Sequence, residues 1–209
     1  MSAAAPEIAV VIPTYNRSAR ILPLLESLAA QTLPPQSFEV IVVDDCSTDD
    51  THEVVEKAAA NLPYRLRVLR TPRNHGPAAA RNLGWQSATA PFVAFTDDDC
   101  DPSAQWLSAG LRALRSAEAP GVVQGSTHIP EGTPVDQLLD WNVHRYVAGP
   151  TPWYEGCNLF FRHDVLAQTG GFDEDIRYYG EDCAAGWRVT EAGYRRAFEP
   201  DAAVTHAVE

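Results

Sequence analysis

The chain has 209 residues, of which 45% are hydrophobic and 21% charged, and it carries a net charge of −12 at neutral pH. That length supports one full hydrophobic core, and the acidity excludes nucleic acid as the main partner, because a phosphate backbone needs a basic footprint. There is no apolar run of ~20 residues to span a membrane, and Met1 to Pro6 lacks the basic and long apolar segments of a signal peptide.

Glu7 to Ile12 is a short apolar run stopped by Pro13 and predicts a strand. Arg20 to Ala30 sets Ile21, Leu24, Leu25 and Leu28 on one helical face. Phe38 to Val43 predicts a second buried strand. Asp50 to Ala60 predicts a helix, with Ser47, Thr48 and Asp49 available as caps. Tyr64 to Leu69 alternates Arg65 and Arg67 with Leu66 and Val68, which suits an edge strand. Pro77 to Ser87 predicts a helix with proline in its first turn, and Phe92 to Thr96 a fourth strand. The second half is less regular. Ala104 to Arg115 reads as a helix and Gly121 to Thr127 as a strand. Residues 128 to 155 are rich in proline, glycine and aromatics, among them Trp141, Tyr146, Trp153 and Tyr154. Gly156 to Phe161 predicts a short strand, Asp164 to Gln168 a helical turn, and Glu181 to Glu191 a helix closed by Gly193. The cysteines at 46, 100, 157 and 183 show neither a CxxC pair nor zinc-like spacing, so free thiols in a reducing cytosol are expected.

Strands alternating with helices imply an α/β fold with a mostly parallel central sheet flanked by helices. Ligands of such sheets bind beyond the C-terminal strand ends. Three polar segments fall there: Pro13-Thr14-Tyr15-Asn16, Asp44-Asp45 and Asp97-Asp98-Asp99. The last is the most unusual. Two unit charges ~4 Å apart repel by about 1 kcal/mol in water and about 4 kcal/mol at an effective dielectric near 20. A divalent cation reverses that sign, and hard oxygen ligands suit Mg²⁺ or Mn²⁺ holding a phosphate-bearing substrate. A solvated turn with capping aspartates is the competing reading.

Neither GxGxxG nor GxxxxGK[ST] is present, so the common glycine-rich phosphate cradles are unsupported. The segments that stand instead begin with VIPTYN at 11–16, VDDCSTD at 43–49 and NHGPAAARN at 74–82. The Asp triplet, EGCNLFFR at 155–162, GGFDE at 170–174 and GED at 180–182 follow. In this order they resemble the family-2 glycosyltransferases, inverting nucleotide-sugar transferases with the GT-A fold, over residues 7 to 206. The resemblance implies a single domain with two roles: a nucleotide-sugar-binding half over 1–127, and a mixed half over 128–209 that binds the acceptor and supplies the base.

It also implies roles for residues. Pro13, Thr14 and Tyr15 would meet the nucleotide, with Pro13 and Tyr15 packed on the base; Tyr15 as a core residue is the alternative. Asp45 corresponds to the family's base-reading carboxylate, while Asp44 turns back into the sheet. Arg81 would lie beside phosphate or ribose, or else form a surface ion pair. The family's D-x-D pattern assigns Asp97 to the nucleotide-sugar and to the metal and Asp99 to the metal; Asp98 can replace either. His206 would complete the metal site. Asp182 would be the general base that takes the acceptor's proton, with Glu181 supporting it. Acidic residues also favour a helix N-terminus for structural reasons.

The expected reaction is metal-dependent (Mn²⁺ or Mg²⁺) transfer of a sugar from a nucleoside-diphosphate donor to a hydroxyl acceptor, on a glycan, a lipid-linked glycan or another molecule. A cytoplasmic location with at most peripheral membrane contact goes with it. The alternatives are a sugar-nucleotidyltransferase-like phosphotransferase, which would carry a glycine-rich basic first loop absent from Pro13 to Arg17, and a non-catalytic nucleotide-sugar-binding module. The aromatics at 141–154 are candidates for acceptor contact or for core packing.

Overall fold

The computed structural model describes residues 5–133, 146–176 and 179–207. Among these residues eight strands form one sheet: β1 (Ile8–Thr14), β2 (Phe38–Asp44), β3 (Arg65–Arg70), β4 (Phe92–Phe95), β5 (Cys100–Pro102), β6 (Val122–His128), β7 (Leu159–Arg162) and β8 (Arg196–His206). Among the described residues six helices join them: α1 (Ile21–Ala29), α2 (Thr51–Ala59), α3 (Pro77–Ser87), α4 (Trp106–Leu114), α5 (His163–Thr169) and α6 (Glu181–Glu191). The sheet order is β3-β2-β1-β4-β7-β6-β8-β5. β3, β2, β1 and β4 run parallel, as expected, and β3 is an edge strand. Beyond β4 the sheet is mixed: β7 is antiparallel to β4 and β6, β8 is parallel to β6, and β5 is antiparallel to β8.

The apolar runs of β1 and β2 follow from burial on both faces. Ile8, Val10 and Ile12 point into a core shared with Leu24, Leu28, Val55 and Trp106 of α1, α2 and α4. Val11 points the other way, into a core with Trp85, Val165, Leu166 and Val189 of α3, α5 and α6. Among the described residues no helix is long and apolar enough to cross a membrane.

Two strands have no counterpart among the elements expected from the sequence. β5 is only three residues long and ends in proline. β8 is the longest strand, yet Glu199-Pro200-Asp201 in its middle reads as a turn. Its register with β6 explains the tolerance. Gly125 pairs with Glu199 and Ser126 with Ala203, so the residues between them bulge out of the ladder. The Ser126 hydroxyl donates to the Pro200 carbonyl at 2.7 Å, and the Asn158 amide donates to the carbonyls of Ser126 and Ala202, both at 2.8 Å. The expected strand start at Gly156 is instead a 3-10 turn over Gly156–Asn158, after which β7 begins. A Cβ on Gly125 would lie 2.1 Å from the Ala202 carbonyl oxygen. Gly125→Ala therefore costs about 1–3 kcal/mol of overpacking, read as a lower urea midpoint; an unchanged midpoint would mean that the bulge yields freely.

Candidate active site

The C-terminal ends of β1, β2 and β4, the N-terminus of α6 and the end of β8 surround an open cleft of about 530 Å³. All the singled-out residues line it: Pro13, Thr14, Tyr15, Asp45, Arg81, Asp97, Asp98, Asp99, Glu181, Asp182 and His206. Parallel pairing produces this convergence. Thr14 is level with Asp44 across β1 and β2, and Val11 with Phe95 across β1 and β4, so the three strands deliver their polar ends to one side.

The three aspartates have three different partners. Asp97 Oδ1 accepts from Arg81 Nη2 at 2.7 Å. Asp98 turns inward, where the Thr14 hydroxyl donates to its Oδ2 at 2.6 Å and Arg17 Nε lies 3.5 Å from its Oδ1. Burial pushes the Asp98 carboxyl up to about 7 against the pull of the Thr14 hydrogen bond, and the charges of Asp97 and Asp99 add to the rise. Asp99 Oδ1 lies 3.5 Å from His206 Nε2. The His206 Nδ1 donates to the Ala207 carbonyl at 2.8 Å, which turns Nε2 toward Asp99. His206 is buried at the end of a long strand.

Arg81 joins the two sides of the cleft. It sits on α3, is only 4% exposed, and its Nη1 donates to Glu181 Oε1 at 2.6 Å while Nη2 holds Asp97. The guanidinium also lies over the Phe172 ring, 5.6 Å from its centroid. This is neither a surface ion pair nor a cation with an open fork: both terminal nitrogens are engaged by protein carboxylates. Asn82, the next residue on α3, fixes the 170–174 segment, donating to the Phe172 carbonyl at 2.8 Å and accepting from the Phe172 N–H at 3.0 Å.

Asp182 lies in the first turn of α6. Its Oδ2 accepts from the Gly156 N–H and its Oδ1 from the Cys183 N–H, both at 2.7 Å. Burial raises the Asp182 carboxyl above the usual aspartate range, although Arg81 and the two amides pull it down. Burial also raises Glu181 and Glu155. Glu155 had no assigned role in the sequence reading; its carboxylate accepts from Gln124 and Thr151 close to Asp182. A Cβ on Gly156 would stand 3.0 Å from both Arg81 Nη2 and Asp182 Oδ2, so this glycine keeps the carboxylate and the guanidinium in place.

On the opposite wall Tyr15 is 43% exposed and so is not a core residue. Asp44 is buried and bonded to Ser47 N–H at 2.8 Å, as expected of a residue turned into the sheet. Asp45 lines the cleft but is already occupied: it accepts from the Thr71 hydroxyl at 2.7 Å, the Gly76 N–H at 2.7 Å and the His75 N–H at 3.0 Å. The N-cap of α2 is Asp50, which makes no side-chain cap bond, while Asp49 just before it accepts from the Thr51 N–H and hydroxyl. Of the candidate aromatics, Tyr146 and Trp153 are exposed, Tyr154 is core beside Trp187, and Trp141 lies outside the described residues, as does Tyr178. One cluster had no signal in the spacing of the sequence. Cys100, Cys157 and His206 come together, all buried, and the Cys157 thiol followed by burial pushes the Cys100 thiol up.

Comparison with known proteins agrees with this arrangement. The sequence model of the family described as "Glycosyl transferase family 2" matches residues 9–173. Glycosyltransferase AglE of Haloferax volcanii is 31% identical over 99% of this chain and 68% of its own length. A pre-mycofactocin glycosyltransferase of Mycobacterium tuberculosis is 31% identical over 96% of this chain but 42% of its own length, so the chain spans less than half of that relative. Among solved structures, mannosyltransferase PcManGT of Pyrobaculum calidifontis, in complex with GDP-Man and Mn²⁺, superposes with a TM-score of 0.81 at 28% identity over 99% of this chain and 58% of that one. S. aureus TarS in complex with UDP-GlcNAc gives 0.75 at 26% identity over 97% and 59%. The fold shared with these enzymes is GT-A, and the chain belongs to glycosyl transferase family 2.

Proposed function

We propose that this chain transfers a sugar from a nucleoside-diphosphate sugar to a hydroxyl acceptor, with inversion and with a divalent cation. One arrangement carries the reading: the acidic run Asp97–Asp99 with His206, and the carboxylate of Asp182, face one cleft from different elements. Solved relatives that bind GDP-Man or UDP-GlcNAc support the donor class.

The residues fit a divalent cation. Two ligands of an octahedral ion with bonds of ~2.1 Å stand roughly 3 Å apart, and Asp99 Oδ1 and His206 Nε2 are 3.5 Å apart at the cleft. Carboxylate oxygen with imidazole nitrogen suits Mn²⁺ better than Mg²⁺. Asp97 and Asp99 with His206 would hold it, and when bound it offsets charge on the departing diphosphate. Pro13 and Tyr15 would pack against the base, a flat face that tolerates stacking. Thr14 and Asp98 would support that wall through their mutual hydrogen bond. Asp45 would meet the nucleotide with its remaining lone pairs while it holds the loop at 71–76. Arg81 would hold Asp97 beside the donor and Glu181 beside the base. Asp182 would accept the proton of the acceptor hydroxyl as that oxygen bonds to the anomeric carbon. The bond from that carbon to the diphosphate oxygen breaks, and the nucleoside diphosphate leaves.

A panel of sugar nucleotides tested with Mn²⁺ and a mixture of hydroxyl acceptors separates the readings. Nucleoside diphosphate release coupled to a glycosylated acceptor, abolished by EDTA and restored by Mn²⁺, is expected. Pyrophosphate release would instead mark a nucleotidyltransferase. Donor binding without turnover on any acceptor would favour a binding module. Asp45→Ala should weaken nucleotide affinity in calorimetry, and an unchanged affinity would leave Asp45 with only its loop.

A further inference from the structure

Beneath the floor of the cleft lies a second set of donor atoms with different chemistry. Cys100, Cys157 and His206 are 4, 5 and 6% exposed, and one ligand atom from each falls within 4.8 Å of the others. The antiparallel ladder fixes this: Cys100 of β5 is level with His206 of β8. Cys157 comes from the Gly156–Asn158 turn. That turn is held by Asn158, which donates to the Ser126 and Ala202 carbonyls and accepts from Trp106 Nε1 at 2.8 Å. The imidazole is oriented by its bond to the Ala207 carbonyl, the backbone partner that metal-binding histidines commonly use. Asp99 Oδ1 stands 3.5 Å from His206 Nε2.

Two sulfurs, one imidazole and a neighbouring carboxylate are not the donor set of a hard, oxygen-seeking cation. They suit a borderline-soft tetrahedral ion. Tetrahedral ligands of zinc at ~2.0–2.3 Å stand roughly 3.5 Å apart, so a contraction of about an ångström brings the cluster onto one ion. The ion also has a way in, because Asp99 and His206 line the cleft. We propose that Cys100, Cys157 and His206 form a zinc-binding site that shares His206 with the cleft, where Asp99 is that imidazole's carboxylate neighbour. Zinc held there draws His206 toward the sulfurs and away from Asp99, and so it inhibits any reaction that needs that imidazole in the cleft. The alternative is that the thiols are only small apolar fillers of the core, where both cysteines are packed.

Cobalt(II) titration of the full chain tests this, in a Cys46→Ser/Cys183→Ser background that removes the two other thiols. One equivalent should give sulfur-to-cobalt charge-transfer absorption in the near ultraviolet and the visible bands of a tetrahedral ion. Zinc should bleach both, and excess Mn²⁺ should not. Cys157→Ser should lose most of the charge-transfer band with an unchanged far-ultraviolet circular dichroism spectrum. Absence of a thiolate band at saturating cobalt overturns the proposal without any further variant, and so does a band indifferent to Cys157→Ser. The inhibition rests in addition on the proposed transfer reaction. Zinc should inhibit sugar transfer by the parent and lose that effect in Cys157→Ser. A chain that shows the cobalt bands but transfers no sugar refutes the reaction and leaves the zinc site standing; the reverse pattern refutes the zinc site alone.

Discussion

Asp182→Asn should lower turnover by about 10²–10⁴-fold, the range expected on loss of the proposed general base, while donor affinity stays at the wild-type value. The amide keeps the shape of the side chain, and its oxygen can still accept from one of the two N–H groups that hold the carboxylate. What it cannot do is take up a proton. The donor is expected on the far wall, so calorimetry with the sugar nucleotide should not detect the change. Wild-type turnover in this variant would remove Asp182 from the mechanism; loss of donor affinity would make it a binding residue. The pH profile adds a second signature. Burial holds the Asp182 carboxyl above its ordinary range, so it binds its proton more tightly than a free aspartate near ~3.9. As the proposed base, Asp182 is ionised above that raised value, and activity should be lost as the pH falls through it. The acid limb therefore lies higher than an exposed aspartate would give, and it disappears from the residual activity of Asp182→Asn.

Arg81→Ala has the largest expected effect on stability. Removing one partner of a buried ion pair leaves an uncompensated charge and costs about 3–5 kcal/mol, a large part of the ~5–15 kcal/mol that holds a typical domain folded. Here one guanidinium serves two carboxylates, and Glu181 is almost fully buried. Arg81→Lys recovers little, since a single ammonium cannot reproduce the two-pronged donor. Glu181→Gln in the Arg81→Ala background should restore part of the loss, because it removes the buried charge that the first substitution strands. Urea unfolding with an unchanged m-value reads all three. A midpoint within experimental error of the wild type for Arg81→Ala would refute the structural role. In an active fraction of the same variant the acid limb of the pH profile should move further up, since Arg81 is among the groups that pull Asp182 down.

Much of this architecture was legible because it rests on local patterns. Apolar periodicity marked β1, β2, β4 and the helices, and the parallel order then put Pro13, Asp45 and Asp97 at one edge of the sheet. β8 was not legible: Pro200 between two acidic residues reads as a turn, and only the bulge opposite Gly125 and Ser126 lets it remain in a strand. The Asp triplet was legible as an oddity and ambiguous in detail. Its division of labour depends on Thr14, Arg81 and His206, each supplied by a different element. Nothing in the spacing ties Arg81 to Glu181, or Cys100 to Cys157 and His206; those meetings are set by strand order. The motif around Asp45 points to a ligand contact, and its hold on the loop at 71–76 is visible only in three dimensions.

The edge position of β5 also sets an order of events. This strand follows Asp99 directly, and its partner among the described strands is β8, far along the chain. On a ribosome the strands that carry Pro13, Asp45 and Asp97 emerge early and can pair among themselves. The backbone after Asp99 has no ladder to join until residues 196–206 appear. Non-local pairing of this kind is a slow step in folding. The strands that carry Pro13, Asp45 and Asp97 can thus pair well before the carboxylate at 99 is set beside the imidazole at 206, so the proposed donor side of the cleft forms ahead of the proposed metal side.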